Sequence, residues 1–169
     1  MEEPECRYEF RVDKRDIRLL ANALNLPETF KCGQRSVVGK IEGLCMVLKR
    51  TAYPCRLNDM IHCFGRPVPE MSMIINAVID FLYEHHGHII TEWNHQIFSP
   101  RNLEIYAEAV HGKGAALENC FGFVDGTVRP ICRPGRNQRI VYNGHKRVHA
   151  LKFQSVTLPN GLIGKLYVQ

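Results

Sequence analysis

The apolar residues of this chain change their spacing once, at His111-Gly112-Lys113-Gly114, and that change constrains the fold more than any single motif. Upstream they recur at three- and four-residue intervals, the period of helices with one buried face. Downstream they fall in short runs separated by turn residues, as strands do. Helices first and strands afterwards predict an α+β chain in two regions, 1–112 and 113–169, rather than an interleaved α/β unit.

Within the first region Asp13 is placed to cap a helix through Leu24, with Ile17, Leu20 and Leu24 on one face. Ser36 opens a second helix in this reading, with the stripe Val38, Ile41, Leu44, Cys45 and Leu48 and a stop at Pro54. A short helix over 57–64 breaks at Gly65-Arg66-Pro67. A long helix follows from about 69 to 86, with Met71, Ile74, Ile75, Val78, Phe81 and Leu82 inward and Gly87 as its C-terminal stop. Ser99-Pro100 starts another that runs to about Val110. Segment 56–87 has helix-turn-helix proportions, which a plain helical hairpin shares. Its long helix carries Glu70, Asp80 and Glu84 and no Lys or Arg, a poor surface for a major groove.

The second region predicts strands over 120–124, 149–158 and 162–168, side by side and antiparallel, with turns at Asn143-Gly144 and Pro159-Asn160-Gly161. Charge divides at Asp125. Residues 126–169 hold eight Lys or Arg and no Asp or Glu, whereas 1–125 hold 14 basic and 17 acidic residues. The surplus of +5 therefore lies wholly downstream of Asp125. Arg129, Arg133, Arg136, Arg139, Lys146, Arg147 and Lys152, with Tyr142 and Phe153 interleaved, suit a polyanion such as DNA or RNA; an ordinary solvated face is the competing reading.

Asp125 ends the apolar run 120–124 and precedes Gly126. A lone carboxylate at a strand end, ahead of a cationic segment, suits a hard divalent cation working on a phosphate backbone. Asp-Gly is also the favoured type I′ hairpin turn, which needs no metal. As a ligand, Asp125 would be reachable by solvent at the C-terminal end of its strand, near the basic segment.

Seven cysteines, an odd number without a C-x-x-C pair, predict reduced thiols in an intracellular protein. The acidic start lacks a secretory apolar core, and no apolar stretch is long enough to span a bilayer. His85, His86, His88 and His95 with Cys55 and Cys63 raise a zinc site, but their spacings match no compact zinc module. The nucleotide-binding glycine loops and the G-x-S-x-G nucleophile elbow are absent.

The C-terminal third resembles the PIF/Harbinger transposases and the Harbinger transposase-derived nucleases of animals, which are DDE superfamily endonucleases. The likeness rests on Phe121-Gly122-Phe123-Val124-Asp125-Gly126-Thr127, Arg129-Pro130, Arg133-Pro134-Gly135 and Gln138. It continues through Tyr142-Asn143-Gly144-His145-Lys146-Arg147, His149-Ala150-Leu151-Lys152-Phe153-Gln154 and Leu158-Pro159-Asn160-Gly161-Leu162-Ile163. Upstream, Leu48-Lys49-Arg50-Thr51-Ala52-Tyr53-Pro54 and Phe64-Gly65-Arg66-Pro67 also look like the region that precedes the nuclease in that family.

The resemblance implies an RNase H-like nuclease domain in 113–169, incomplete, with Asp125 as the first of three catalytic carboxylates and a metal ligand. The family's second and third acids match nothing up to Gln169, so a truncated copy with an exposed sheet edge is expected. The complete site implied by the resemblance would hold two divalent cations, Mg²⁺, for DNA phosphodiester hydrolysis and strand transfer. The alternative is a catalytically inactive, domesticated nuclear module that binds DNA or protein. The likeness further implies a nuclear location, with the cytoplasm as a second compartment, and a separate Myb-like DNA-binding protein as partner.

Overall fold

The computed structural model describes residues 2–53 and 55–168; Pro54, read above as a helix stop, lies outside them. The chain is a mixed α+β protein. Among the described residues no helix is long and apolar enough to cross a membrane.

Two compact units divide the chain, Met1–His86 and Gly87–Gln169. The division falls well before the change in apolar spacing at 111–114, because the helices after His86 pack with the strands. Asn160 Nδ2 donates to Tyr106 Oη at 3.3 Å. The Phe98 ring lies against Gly164.

The first unit comprises α1 (Glu3–Phe10), α2 (Lys14–Ala23), β1 (Thr29–Lys31), β2 (Val37–Gly39), α3 (Lys40–Ala52), α4 (Ile61–Phe64, entered through a 3₁₀ turn at Leu57–Met60) and α5 (Val68–His86). Its core is built on α5, whose Met71, Ile74, Ile75 and Val78 recur at helical spacing and are all buried. They pack with Leu44, Met46 and Val47 of α3, Ile17 and Ala21 of α2, and Cys6 and Phe10 of α1. Asp13 occupies the N-cap position of α2, but its carboxylate accepts from Arg7 Nε at 2.6 Å instead of from the helix backbone.

One local expectation fails here. Ser36 does not open a helix: 37–39 form β2, which pairs antiparallel with β1 (Phe30 opposite Val38), and α3 starts from Gly39. α5 ends at His86, before Gly87 as read, although the φ of −55° and ψ of −34° at Gly87 are right-handed. The break at Gly65 is as read, with φ 64° closing α4.

The second unit comprises α6 (His88–Thr91), α7 (Pro100–His111), β3 (Phe123–Pro130), β4 (Tyr142–Asn143), β5 (Val148–Thr157) and β6 (Ile163–Val168). Ser99 caps α7 through its hydroxyl, which accepts from Asn102 N at 3.4 Å, and Pro100 takes the first turn. β5 is the central strand: β3 pairs antiparallel with it from Phe123–Thr157 to Pro130–Ala150, and β4 and β6 pair with its N-terminal and C-terminal parts. The three long strands thus form one antiparallel sheet in the order β3, β5, β6. A register shift beside Val156 and Thr157 leaves Gly164 as the extra residue of a bulge.

Candidate nucleic-acid interface

The site expectations centre on Asp125, and β3 corrects its position. The run 120–124 is not a buried strand ending at Asp125; β3 starts at Phe123, continues to Pro130, and is largely exposed. Asp125 is its third residue and pairs with Ser155, while Gly126 pairs with Gln154. Neither the strand-end position nor the Asp-Gly hairpin turn is therefore present. Eight consecutive partners on β5 hold this segment extended and override the local turn preference.

Alternation along β3 puts Asp125 on one face with Phe123, Thr127 and Arg129. The register adds Ser155, Phe153, Leu151 and His149 of β5, and Tyr142 of β4, to that face. Val128, Lys152, Gln154, Lys165 and Tyr167 occupy the opposite face, where Lys165 Nζ lies 4.9 Å from the centre of the Tyr167 ring. Asp125 is exposed, and Thr127 Oγ1 donates to its Oδ2 at 3.3 Å.

Six basic residues predicted to meet nucleic acid, Arg129, Arg133, Arg136, Arg139, Lys146 and Arg147, are all exposed. Among the described residues, none of the six is in an ion pair. Arg133, Arg136 and Arg139 lie in the loop 131–141 between β3 and β4. Ile131 N donating to the His149 carbonyl (2.9 Å) and Ala150 N donating to the Val141 carbonyl (2.7 Å) tie both ends of that loop to β5. Arg133 Nε donates to Gln138 Oε1 at 2.9 Å. Lys146 and Arg147 sit in the β4–β5 turn, which Asn143 organises by accepting from Lys146 N through Oδ1 at 3.0 Å.

Asp125 and the basic segment share a sheet but not a point. Arg129 is four residues away along β3, about 13 Å of extended backbone at roughly 3.3 Å per residue. The loop and turn lie further off, towards the N-terminal end of β5. A strand of nucleic acid lying along β3 would meet Arg129 and Asp125 in succession.

The zinc candidates divide between the units, with His88 and His95 in the second. His86 Nε2–H donates to the Leu24 carbonyl at 2.9 Å, His85 stacks on Phe81, and Cys55 is buried. Among the described residues no group of three or more His, Cys, Asp or Glu side chains is placed to hold a metal. All seven cysteines are free thiols; Cys6 and Cys55 are buried, whereas Cys63 and Cys132 are exposed.

The segment with helix-turn-helix proportions presents no basic recognition surface. The exposed side of α5 carries Asn76, Ile79, Asp80, Tyr83 and Glu84, and its N-terminal Glu70 is bound to Arg66. Sequence reading missed Thr127 and Ser155 beside Asp125, and the pairing of Tyr142 with His149. The alternation of Asp125, Thr127 and Arg129 was the available signal for a longer strand.

No protein-family model, curated protein or solved structure matches this chain.

Proposed function

We propose that this chain is the DNA-binding portion of a Harbinger-type DDE nuclease, with its second unit gripping the phosphate backbone and Asp125 serving as the first of the carboxylates needed for cleavage. The observation that carries the reading is the set of exposed cations Arg129, Arg133, Arg136, Arg139, Lys146 and Arg147, in no ion pair among the described residues, within a stretch of 44 residues, 126–169, that has no acid. In a solvated face, cations usually alternate with acids; a run of one sign focuses a field that attracts polyanions. The antiparallel order β3, β5, β6, with a carboxylate on the first strand, supports an RNase H-like beginning. The acidic exposed side of α5 favours protein contact over groove reading for segment 56–87, as a nuclear partner of Myb-like type would require.

The residues present do not make a two-metal site. Asp125 offers one carboxylate with hydroxyls of Thr127 and Ser155 near it, and two hard cations need several oxygen ligands each. Mg²⁺, once held by a full set of acids, would supply activation of the attacking oxygen and charge neutralisation at the leaving one. The 169-residue polypeptide is thus expected to bind DNA without cutting it, which is also what a domesticated binding module would do.

Binding across a salt series tests the first part. With about six phosphate contacts, log K should fall against log salt with a slope near −5. Salt-independent binding, or none at low salt, would remove the reading. The second part is tested in a longer polypeptide that includes further acids, where Asp125→Asn should abolish Mg²⁺-dependent cleavage and leave binding intact. Undiminished cleavage by that variant would reduce Asp125 to a strand residue.

A further inference from the structure

We propose that Tyr142 is a stacking platform for an unpaired base, so that the second unit prefers single-stranded DNA. The inference rests on the polyanion-binding reading of the basic segment and names the form of DNA that this surface takes.

Tyr142 and Ile140 are exposed apolar side chains inside an otherwise cationic stretch, 50% and 81% accessible. Water is a poor neighbour for both, and a surface built for phosphate alone has no use for them. The Tyr142 ring is also fixed in place. Its partner in the β4–β5 register is His149, whose ring meets it edge-on with centroids 5.4 Å apart and planes at 65°. Backbone bonds anchor the residues on either side: Ala150 N donates to the Val141 carbonyl, and Asn143 is buried and organises the turn. A ring held in this way loses little freedom when a base stacks on it.

Tyr142 lines two adjoining hollows of about 280 Å³ each, one shared with Gln138, Arg139 and His149, the other with Gly144, His145 and Lys152. That volume is just below the range of pockets for whole small-molecule ligands, roughly 300–1,000 Å³, and suits a single base. Phosphates flanking the base would meet Arg139 on the loop and Lys146 and Arg147 on the turn. In a duplex the base faces are already stacked on one another, so only a single strand can use the ring. Stacking tolerates any base, because every base has a π-face.

The test uses the 169-residue chain, a twelve-nucleotide single strand carrying 2-aminopurine, and a duplex of the same length. Loss of one stacked base lowers affinity about 5- to 150-fold. Tyr142→Leu should therefore bind the single strand about fivefold or more weakly and the duplex within twofold of the unaltered chain, with an unchanged salt slope. Tyr142→Phe should retain binding. Neutralising Arg133, Arg136 and Arg139 together should weaken both forms and flatten the slope.

Unchanged single-strand affinity in Tyr142→Leu, beside a weakened triple-arginine variant, overturns the platform and leaves polyanion binding standing. Absence of binding to either form at low salt overturns both. Should Tyr142→Leu fail to fold, saturating the labelled strand with the unaltered chain still decides, since unchanged 2-aminopurine emission rules out stacking. An oligoribonucleotide bound tenfold more tightly than its DNA counterpart would overturn the choice of DNA.

Discussion

Arg66→Met should be among the most damaging single changes in the first unit, although Arg66 is not in the hydrophobic core. Its Nε and Nη2 donate to Glu42 of α3 at 2.6 and 3.1 Å, Nη1 donates to Glu70 of α5 at 2.5 Å, and Nη2 also reaches the Val37 carbonyl of β2 at 3.4 Å. One guanidinium therefore ties the turn after Gly65 to three other elements. The two glutamates raise its pKa further, Glu42 most, so it stays charged throughout any working range. The side chains are 22%, 37% and 21% accessible, which sets the bridge between an exposed pair and a buried one. Exposed pairs contribute about 0–1 kcal/mol and breaking a buried pair costs roughly 3–5. Allowing for solvent screening at Glu42, the loss should be about 2–3 kcal/mol, since Met leaves two carboxylates without their shared cation. For a unit of this size that lowers Tm by roughly 8–24 °C, followed by the helical circular dichroism that comes mostly from this unit. Arg66→Lys should recover only part of it, because an ammonium cannot serve two carboxylates in fork geometry. A loss below about 0.5 kcal/mol for Arg66→Met would show that the bridge is an ordinary surface contact and refute the argument.

Gly164→Ala should destabilise the second unit by about 1–3 kcal/mol, because the new methyl would sit 2.5 Å from Cζ of Phe98, a buried ring stacked on Trp93; an unchanged melting profile would contradict the packing at this bulge. Burial, chiefly, pushes the Cys45 thiol from its ordinary 9.0 up to about 11. The folded value lies above the unfolded one, so this contribution to stability is complete below pH 9 and is lost as pH rises towards 11, which denaturation curves across that window can check against Cys45→Ala. In the same native protein Cys63 and Cys132 should react with an alkylating reagent well before Cys45, as mass spectrometry of a labelling time course would read. Arg129→Gln should weaken DNA binding and reduce the salt slope by about 1, while Lys165→Gln, on the other face, should stay within twofold; the reverse order would move the binding surface to the opposite face.

What the sequence revealed, and what it hid, follows from how far each element depends on distant partners. α5 was legible because Met71, Ile74, Ile75 and Val78 repeat a pattern that only a one-sided helix satisfies. Ser99-Pro100 was legible because a cap is a local hydrogen bond. The β1–β2 hairpin was not, since its turn runs through Gln34 and Arg35 at φ 56° and 63°, left-handed conformations that neither residue type advertises. The start and length of β3 were hidden for another reason. Asp125-Gly126 prefers a turn by itself, and only the pairing with Ser155 and Gln154, nearly thirty residues later, keeps it extended. The candidate site was therefore visible as a set of residue types and charges but not as a geometry. The sequence named Asp125 and the cations, and the sheet decided which of them share a face.

That shared face explains how binding and any metal chemistry can be separated in this unit. His149 and Ser155 lie six residues apart on β5, about 20 Å at roughly 3.3 Å per residue, and their cross-strand partners are Tyr142 and Asp125. A single strand held at Tyr142 would reach Asp125 a few nucleotides along, with Arg129 beside its path. The grip thus sits at one end of the face and the carboxylate towards the other. Losing Asp125 removes a negative charge from the path of phosphate, so affinity cannot fall on electrostatic grounds. Losing the arginines removes the grip but leaves Asp125 with its Thr127 bond and strand position untouched. On the proposed reading, a surface arranged in this order would hold DNA whether or not further acids assemble beside Asp125, so a nuclease portion and a silent binding module would share it.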